Sequence, residues 1–486
     1  MKSMKKVLAL LLALTVVLAL AACGGSTAST SNASSTTTAA PAANNSSAGG
    51  TSSAGNTAAE PEALAGPDNV DLKELAANAG GEIYVEIWGK DSIGDSETSR
   101  GYQVAKMAEE FSDMYENVKV EYIYQGGYTD VQEKVMAAAA ANDLPTMFMT
   151  EESMVKGFEA IAADINAWVP SATVNNYQAG LLTSMIVDGK LLGAPFARSL
   201  PVMVCNKEIL AKAGWTGSDI KTIDDLLRCA KEVYKTTGIP GYAIWWDTDL
   251  WHWESIIYAD GGQILSDDGS VPTFGKDYDY VGAKFANKVK EGLLEGYIIS
   301  PYTSPKPYDE MSNLFCNGEL AIMMCSCNSM PGRAQRAAEN GYTLETYVQP
   351  AGEGGIHVTG GGSNWVLCES ATYEEKMFAG AFLAYLAQDE QVMRITSSTG
   401  SMMITNSAME TDAAKQLLEE NPYFQATYDT IPYLHERPNT PYWAEMYTYG
   451  ADKLAQFTLN PGSTDIEAMI DDMEVKFAQI IEDNAW

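Results

Sequence analysis

The sequence predicts an α/β protein of at least two packed units, carried behind an exported and flexible N-terminal arm. Three observations carry this. The chain has 486 residues and 46% hydrophobic composition, more than one small core requires. From residue 81 onward, segments of period-two alternation take turns with segments whose apolar residues recur at helical spacing. Before that point, residues 24–66 are almost wholly Ala, Ser, Thr, Asn, Gly and Pro, a composition that cannot bury enough apolar surface to offset its ordering entropy.

The arm is built in order. Lys2, Lys5 and Lys6 precede an apolar run at 7–20, which has the anatomy of an export signal over residues 1–22 and is too short to span a bilayer comfortably. The signal ends in Leu20-Ala21-Ala22-Cys23, which resembles the bacterial lipobox, whose Cys is lipidated. Residues 23–80 therefore predict a lipidated Cys23 and a flexible tether, with a coil reach of about 35–40 Å over its low-complexity part. The mature protein is expected outside the cytoplasmic membrane, anchored by lipid at the extracytoplasmic face.

The body opens with a strand at 81–88, a helix at 104–115, a strand at 118–124, a helix at 132–141 stopped by Asn142-Asp143-Leu144-Pro145, and a strand at 146–149. Strands follow at 191–195, 202–205 and near Ile244, with a helix over 222–234 between the last two. A strand at 320–325 precedes a helix at 331–340, and 358–362 reads as a Gly-rich turn before a strand at 365–368. Helices at 373–386, 412–420 and 464–481 close the pattern.

Charge and residue types remove several function classes. Asp and Glu number 64 against 31 Lys and Arg, a net charge of −33, so nucleic acid and other polyanions are repelled. Three His leave little material for a metal centre. Gly-x-Ser-x-Gly, His-Glu-x-x-His and the P-loop pattern are missing, and although carboxylates such as Asp247, Asp249 and Glu254 could be paired on paper for glycoside hydrolysis, nothing marks one as a general acid. No enzyme activity, cofactor or metal is predicted. Cys205, Cys229, Cys316, Cys325, Cys327 and Cys368 sit in apolar segments and are read as buried thiols, although an even number in an exported chain permits disulfides. Ser266-Asp267-Asp268-Gly269 is read as a turn.

Trp245, Trp246, Trp251 and Trp253 are interleaved with Asp247, Asp249, His252 and Glu254, and Tyr442-Trp443 follows Pro438. Aromatic planes match the apolar faces of sugar rings and carboxylates match their hydroxyls. The competing expectation is a core helix whose Trp face packs inward. Trp246 and Trp251 are the preferred pocket members.

Tyr128-Thr129-Asp130 through Lys134, residues 137–145, Asp188-Gly189-Lys190 through Phe196, Asn206-Lys207 with Ala213-Gly214, residues 317–321 and residues 360–365 together resemble the extracellular solute-binding lipoproteins of ABC importers, in their large carbohydrate-binding group (family 1). The resemblance implies a two-lobed periplasmic-binding-protein-like fold with hinge strands, with lobe 1 at 81–196 plus 349–400 and lobe 2 at 197–348 plus 401–486. It implies a monomer that captures a sugar or oligosaccharide between the lobes and delivers it to membrane permease subunits. Within the family the chain is nearest to a subgroup that binds glycerol-3-phosphate and its diesters. Tyr128, Glu151, Ser199, Trp246, Ser326 or Ser329, and Gly361 fall where that subgroup's contacts align, and 400–405 resembles a tail motif of the same group. That subgroup's late arginine falls near Glu445 or Met446, so a neutral cargo is expected over a phosphate, which would need such a clamp. Trp88, Arg198 and Trp443 complete the candidate set.

Overall fold

A computed structural model of the chain describes residues 70–486 apart from 95–96, 247–249, 436, 438–439 and 485–486. The export signal, Cys23, most of the tether, and Asp247 and Asp249 lie outside the described residues. The expected tether to residue 80 is too long: Leu72–Ala77 is a helix, N-capped by the Asp71 carboxylate, and it buries Leu72 and Ala76. Those two side chains are the apolar content that the low-complexity run before them lacks.

Two five-stranded sheets organise the body. In the first, β1 (Ile83–Gly89) pairs in parallel with β2 (Val118–Tyr124) and β3 (Met147–Glu151), and β13 (Gly361–Leu367) runs antiparallel between β3 and β6 (Ala194–Ser199). In the second, β7 (Pro201–Asn206) runs antiparallel to both β10 (Ile322–Ser326) and β11 (Leu344–Tyr347), and β8 (Tyr242–Ala243) lies parallel between β10 and β9 (Ile298–Ile299). β6 continues in the first sheet to Ser199, three residues past the expected lobe boundary. A single residue, Leu200, then separates it from β7 in the second sheet. A minor pair, β12 (Val358–Thr359) with β14 (Leu434–His435), lies where the chain returns from β11 to β13.

The sequence patterns have local causes. β1 alternates buried and half-buried residues because one face meets the core. The helix Arg100–Ser112 puts Val104, Met107, Ala108 and Phe111 on one buried face. The helix Tyr128–Ala141 starts four residues before the expected point and ends at Asn142 in the left-handed conformation (φ 54°). Tyr373–Leu386 is buried on all sides from Lys376 onward, with Phe378 and Phe382 in a ring cluster with Phe111, Tyr115 and Tyr385. Asp188-Gly189, both at positive φ, form the tight turn between β4 (Ile186–Val187) and β5 (Lys190–Leu191). The turn at 266–269 closes by Gly269 N–H donating to Ser266 O at 2.7 Å. All six described cysteines are free and buried, and burial pushes the Cys229 and Cys368 thiols up to about 12. The helices Val281–Glu295, Pro307–Cys316 and Trp443–Leu459 were not expected.

One ion pair beside β1 gives a pH prediction. Asp91 takes the Arg100 guanidinium at 2.7 and 2.8 Å and Lys90 at 3.1 Å. Burial alone raises this carboxyl, but Arg100 and Lys90 outweigh it and hold it well below the usual carboxylate range. A depressed carboxyl stabilises the fold above its unfolded value near about 4 and loses that contribution as pH falls through its folded value. Asp91→Asn should therefore be less stable at neutral pH by about 1.5–3 kcal/mol and should lose less between pH 4 and 2. Melting temperatures of both proteins across that window check this, and parallel acid losses would refute it.

Candidate functional site

β3 ends at Glu151 and the next residue, Glu152, opens a 3-10 helix (Glu152–Phe158); both are buried, and each meets an arginine. Arg437 Nη1 donates to Glu151 Oε1 at 2.7 Å, and Arg437 Nε donates to Glu254 Oε2 at 3.0 Å. Arg437 thus ties the end of the first sheet to the helix Trp251–Ala259, which packs on Val281–Glu295 beside the second sheet. Arg198, on β6, pairs with Glu152 and donates to Asn364 Oδ1 at 2.9 Å. All five charged side chains are at most 5% exposed. Burial lowers the Arg198 guanidinium to about 10, with Arg437 adding to the effect and Glu151 and Tyr128 opposing it, so it stays charged at neutral pH. Three carboxylates face two guanidiniums, an excess of one negative charge within the cluster.

Aromatic and backbone groups complete the setting. The Arg437 guanidinium lies 5.7 Å from the centre of the Trp443 ring, within cation–π range. Trp251 donates its indole N–H to Thr359 O at 2.7 Å, and a Cβ on Gly361 would stand 3.0 Å from that indole. Tyr128 OH and Ser363 Oγ are 2.8 Å apart. Among the described residues, Arg198 Nε and Asn364 Nδ2 are buried without a hydrogen-bond partner, donor groups that a bound solute could satisfy.

The structure therefore brings together Tyr128, Glu151, Arg198, Ser199, Trp251, Gly361 and Trp443. Ser199 joins as the β6 partner of Gly361. Glu151 is no solvated helix start: it is 2% exposed and accepts from Ser153 N at 2.9 Å while holding Arg437. Arg198 is no surface ion pair. Within the turn expected at 358–362, Val358–Thr359 and Gly361–Leu367 are strands flanking Gly360, and the missing side chains of Gly360 and Gly361 make room for Trp251, Arg198 and Glu152.

Four candidates fall elsewhere. Trp246 packs edge-on against Phe285, as Trp253 does against Phe274, and both rings are buried in the core. Trp88 donates to Glu86 on its own strand. Ser326 Oγ accepts from Asn328 N, and Ser329 is exposed at a crossover where its N–H bonds Thr399 O.

Sequence reading missed Arg437, which stands eight and nine residues before the positions where a late arginine was sought. It named Trp245 in the tryptophan cluster but preferred Trp246 and Trp251, and Trp245 lines an open groove beside the ion cluster. The signal for Arg437 was its place among Tyr, Trp and Pro residues in a segment with little helical periodicity, where a lone Arg has no surface helix to decorate. No group of three or more His, Cys, Asp or Glu suited to a metal ion exists among the described residues. No described helix is long and apolar enough to cross a membrane.

The family model described as bacterial extracellular solute-binding protein matches residues 106–425. The sn-glycerol-3-phosphate-binding periplasmic protein UgpB of Yersinia pestis bv. Antiqua (strain Antiqua) is 24% identical over 367 residues, covering 72% of this chain and 80% of that protein. Among solved structures, the cyclic alpha-maltosyl-1,6-maltose binding protein of Arthrobacter globiformis superposes with a TM-score of 0.68 at 20% identity, covering 83% of this chain and 100% of the other. UgpB of Mycobacterium tuberculosis, solved with glycerophosphocholine, superposes with a TM-score of 0.69 at 18% identity, covering 84% and 100%. The two-sheet α/β architecture is the two-lobed binding-protein fold of these neighbours.

Proposed function

The chain belongs to the bacterial extracellular solute-binding proteins, and on that premise we propose that it captures a neutral sugar or oligosaccharide between its lobes for a membrane ABC permease. It is a binding component and performs no chemistry on its cargo. The observation that carries the neutral ligand is the charge balance of the cluster: both buried guanidiniums already hold carboxylates, and the three glutamates outnumber the two arginines by one. A phosphate entering there would meet net negative charge. A neutral polyol meets donors and acceptors in place, with the Trp251 and Trp443 rings packed around the cluster. Ligand contacts are assigned to Tyr128, Glu151, Arg198, Trp251, Gly361 and Trp443, with Arg437 added.

A second reading has its own observation. The argument against glycerol phosphates from the sequence rested on a missing late arginine, and Arg437 supplies one. A glycerol-3-phosphate or glycerophosphodiester would fit if Arg437 exchanged Glu151 or Glu254 for the phosphate. Upstream, the proposal keeps Cys23 as a lipid anchor, residues beyond it as a tether, and the protein as a monomer with lobes near 81–196 plus 349–400 and 197–348 plus 401–486.

A thermal-shift screen against neutral oligosaccharides, glycerol phosphates and amino acids separates the readings. A ligand at 100 times its dissociation constant should stabilise by about 2.7 kcal/mol. A rise with an oligosaccharide is expected. A rise with glycerol phosphates alone would transfer the assignment to the second reading, and a rise with amino acids alone would overturn both.

A further inference from the structure

Beside the ion cluster, a groove of about 490 Å³ opens between the helices Pro307–Cys316 and Trp443–Leu459. Its lining includes Trp245, Tyr302, Tyr308 and Tyr447, with Thr129, Lys306, Asp309, Thr448 and Asp452 as polar groups. The volume lies in the range of small-molecule sites. A second groove of about 740 Å³, along the helix Tyr128–Ala141, shares Thr129 and Asp452 and so prolongs the first.

Two connections tie the groove to the cluster. Thr129 follows Tyr128, whose hydroxyl meets Ser363, and the Tyr447 hydroxyl is 2.6 Å from Thr129 Oγ1. On the other wall the Trp245 ring lies 5.8 Å from that of His252, which lies 5.6 Å from Trp251. The aromatic wall is held from behind. Arg333, fixed by Ser312 Oγ at 3.0 Å and Asn328 O at 3.1 Å, sits 4.7 Å from the Tyr308 ring centre, and Tyr308 lies 4.5 Å from Trp245. A platform already ordered in this way loses little entropy when a ligand settles on it. Aromatic planes with hydroxyl and carboxylate edges are the complement of linked sugar rings.

We infer that this groove is a second carbohydrate subsite, so that the cargo is a linear oligosaccharide whose outer rings lie along Trp245, not a monosaccharide or a glycerol phosphate. The inference rests on the carbohydrate reading above and extends it to chain length. One end of the ligand is enclosed by the ion cluster, and the remainder runs out beside Tyr447 and Asp452.

Calorimetric titration of the protein with linear neutral oligomers of glucose, mannose, galactose and xylose, two to six units long, tests this. In the series that binds, affinity should rise at least tenfold from two to four units. Trp245→Ala should erase that gain while lowering the two-unit affinity far less. Asp452→Ala, on the exposed rim where folding is not at stake, should reduce the gain in the same selective way. Affinity independent of length, or equal loss for short and long oligomers in both variants, overturns the inference while the carbohydrate reading stands. If no oligomer of any series binds, both fall together.

Discussion

Arg437→Met should lower folding stability by about 3–5 kcal/mol, the cost of stranding buried charge, and weaken ligand binding by about a hundredfold. The side chain is fully buried, and its guanidinium holds Glu151 at 2.7 Å and Glu254 at 3.0 Å. Methionine fills similar space without the charge, so the loss reports the two carboxylates left behind rather than a cavity. Replacing Glu151 and Glu254 by Gln in the Arg437→Met background should therefore recover much of the stability, because no unpaired charge remains. Recovery of stability should not restore affinity, since the polar groups facing the ligand are then changed as well. Urea unfolding and calorimetry on the single and triple variants give both numbers. A single variant within about 1 kcal/mol of the parent would mean that water reaches the glutamates and that the pair is no interior bridge.

The fold was legible where one face of an element decides its pattern. β2 has the bounds the alternation predicts, and the β4–β5 turn is where Asp188-Gly189 places it, because local chemistry alone sets both. Legibility failed at β9 in the second sheet, whose two residues are too short for a period to show, whereas the strand expected near Ile244 is β8, ending at Ala243. The site was half legible. Glu151, Arg198 and Trp251 lie in recognisable segments, yet their roles depend on Arg437 and Asn364, which are 286 and 166 residues away from their partners Glu151 and Arg198. Trp245 and Trp246 are adjacent, and one lines the groove while the other fills the core. An alternation of that kind flips with a one-residue change in register, so composition identified the cluster of tryptophans, while the preference for Trp246 fell on the neighbour that fills the core.

Gly362→Ala should be the most damaging small substitution in the first sheet, at about 3 kcal/mol or more. Gly362 has φ +100°, a region L side chains rarely adopt, and a Cβ there would stand 2.4 Å from Ala197 O and 2.7 Å from Arg198 Cα. Both are backbone atoms, so relief requires β6 itself to move. The residue lies at the register shift between β13 and β6, and such a bulge re-aims the side chains next to it. Here those are Ser363, which meets Tyr128, and Asn364, which receives Arg198. The damage should thus appear in affinity as well as in stability. Gly189→Ala supplies the comparison: its φ is +79° but nothing lies within 4 Å of the added carbon, so it carries the conformational cost alone, about 1–2 kcal/mol, with affinity unchanged. The difference between the two variants measures the contact with β6. Equal urea midpoints with equal affinities would show that the bulge does not position Arg198, and the cluster would then owe its geometry to Glu152 and Arg437 instead.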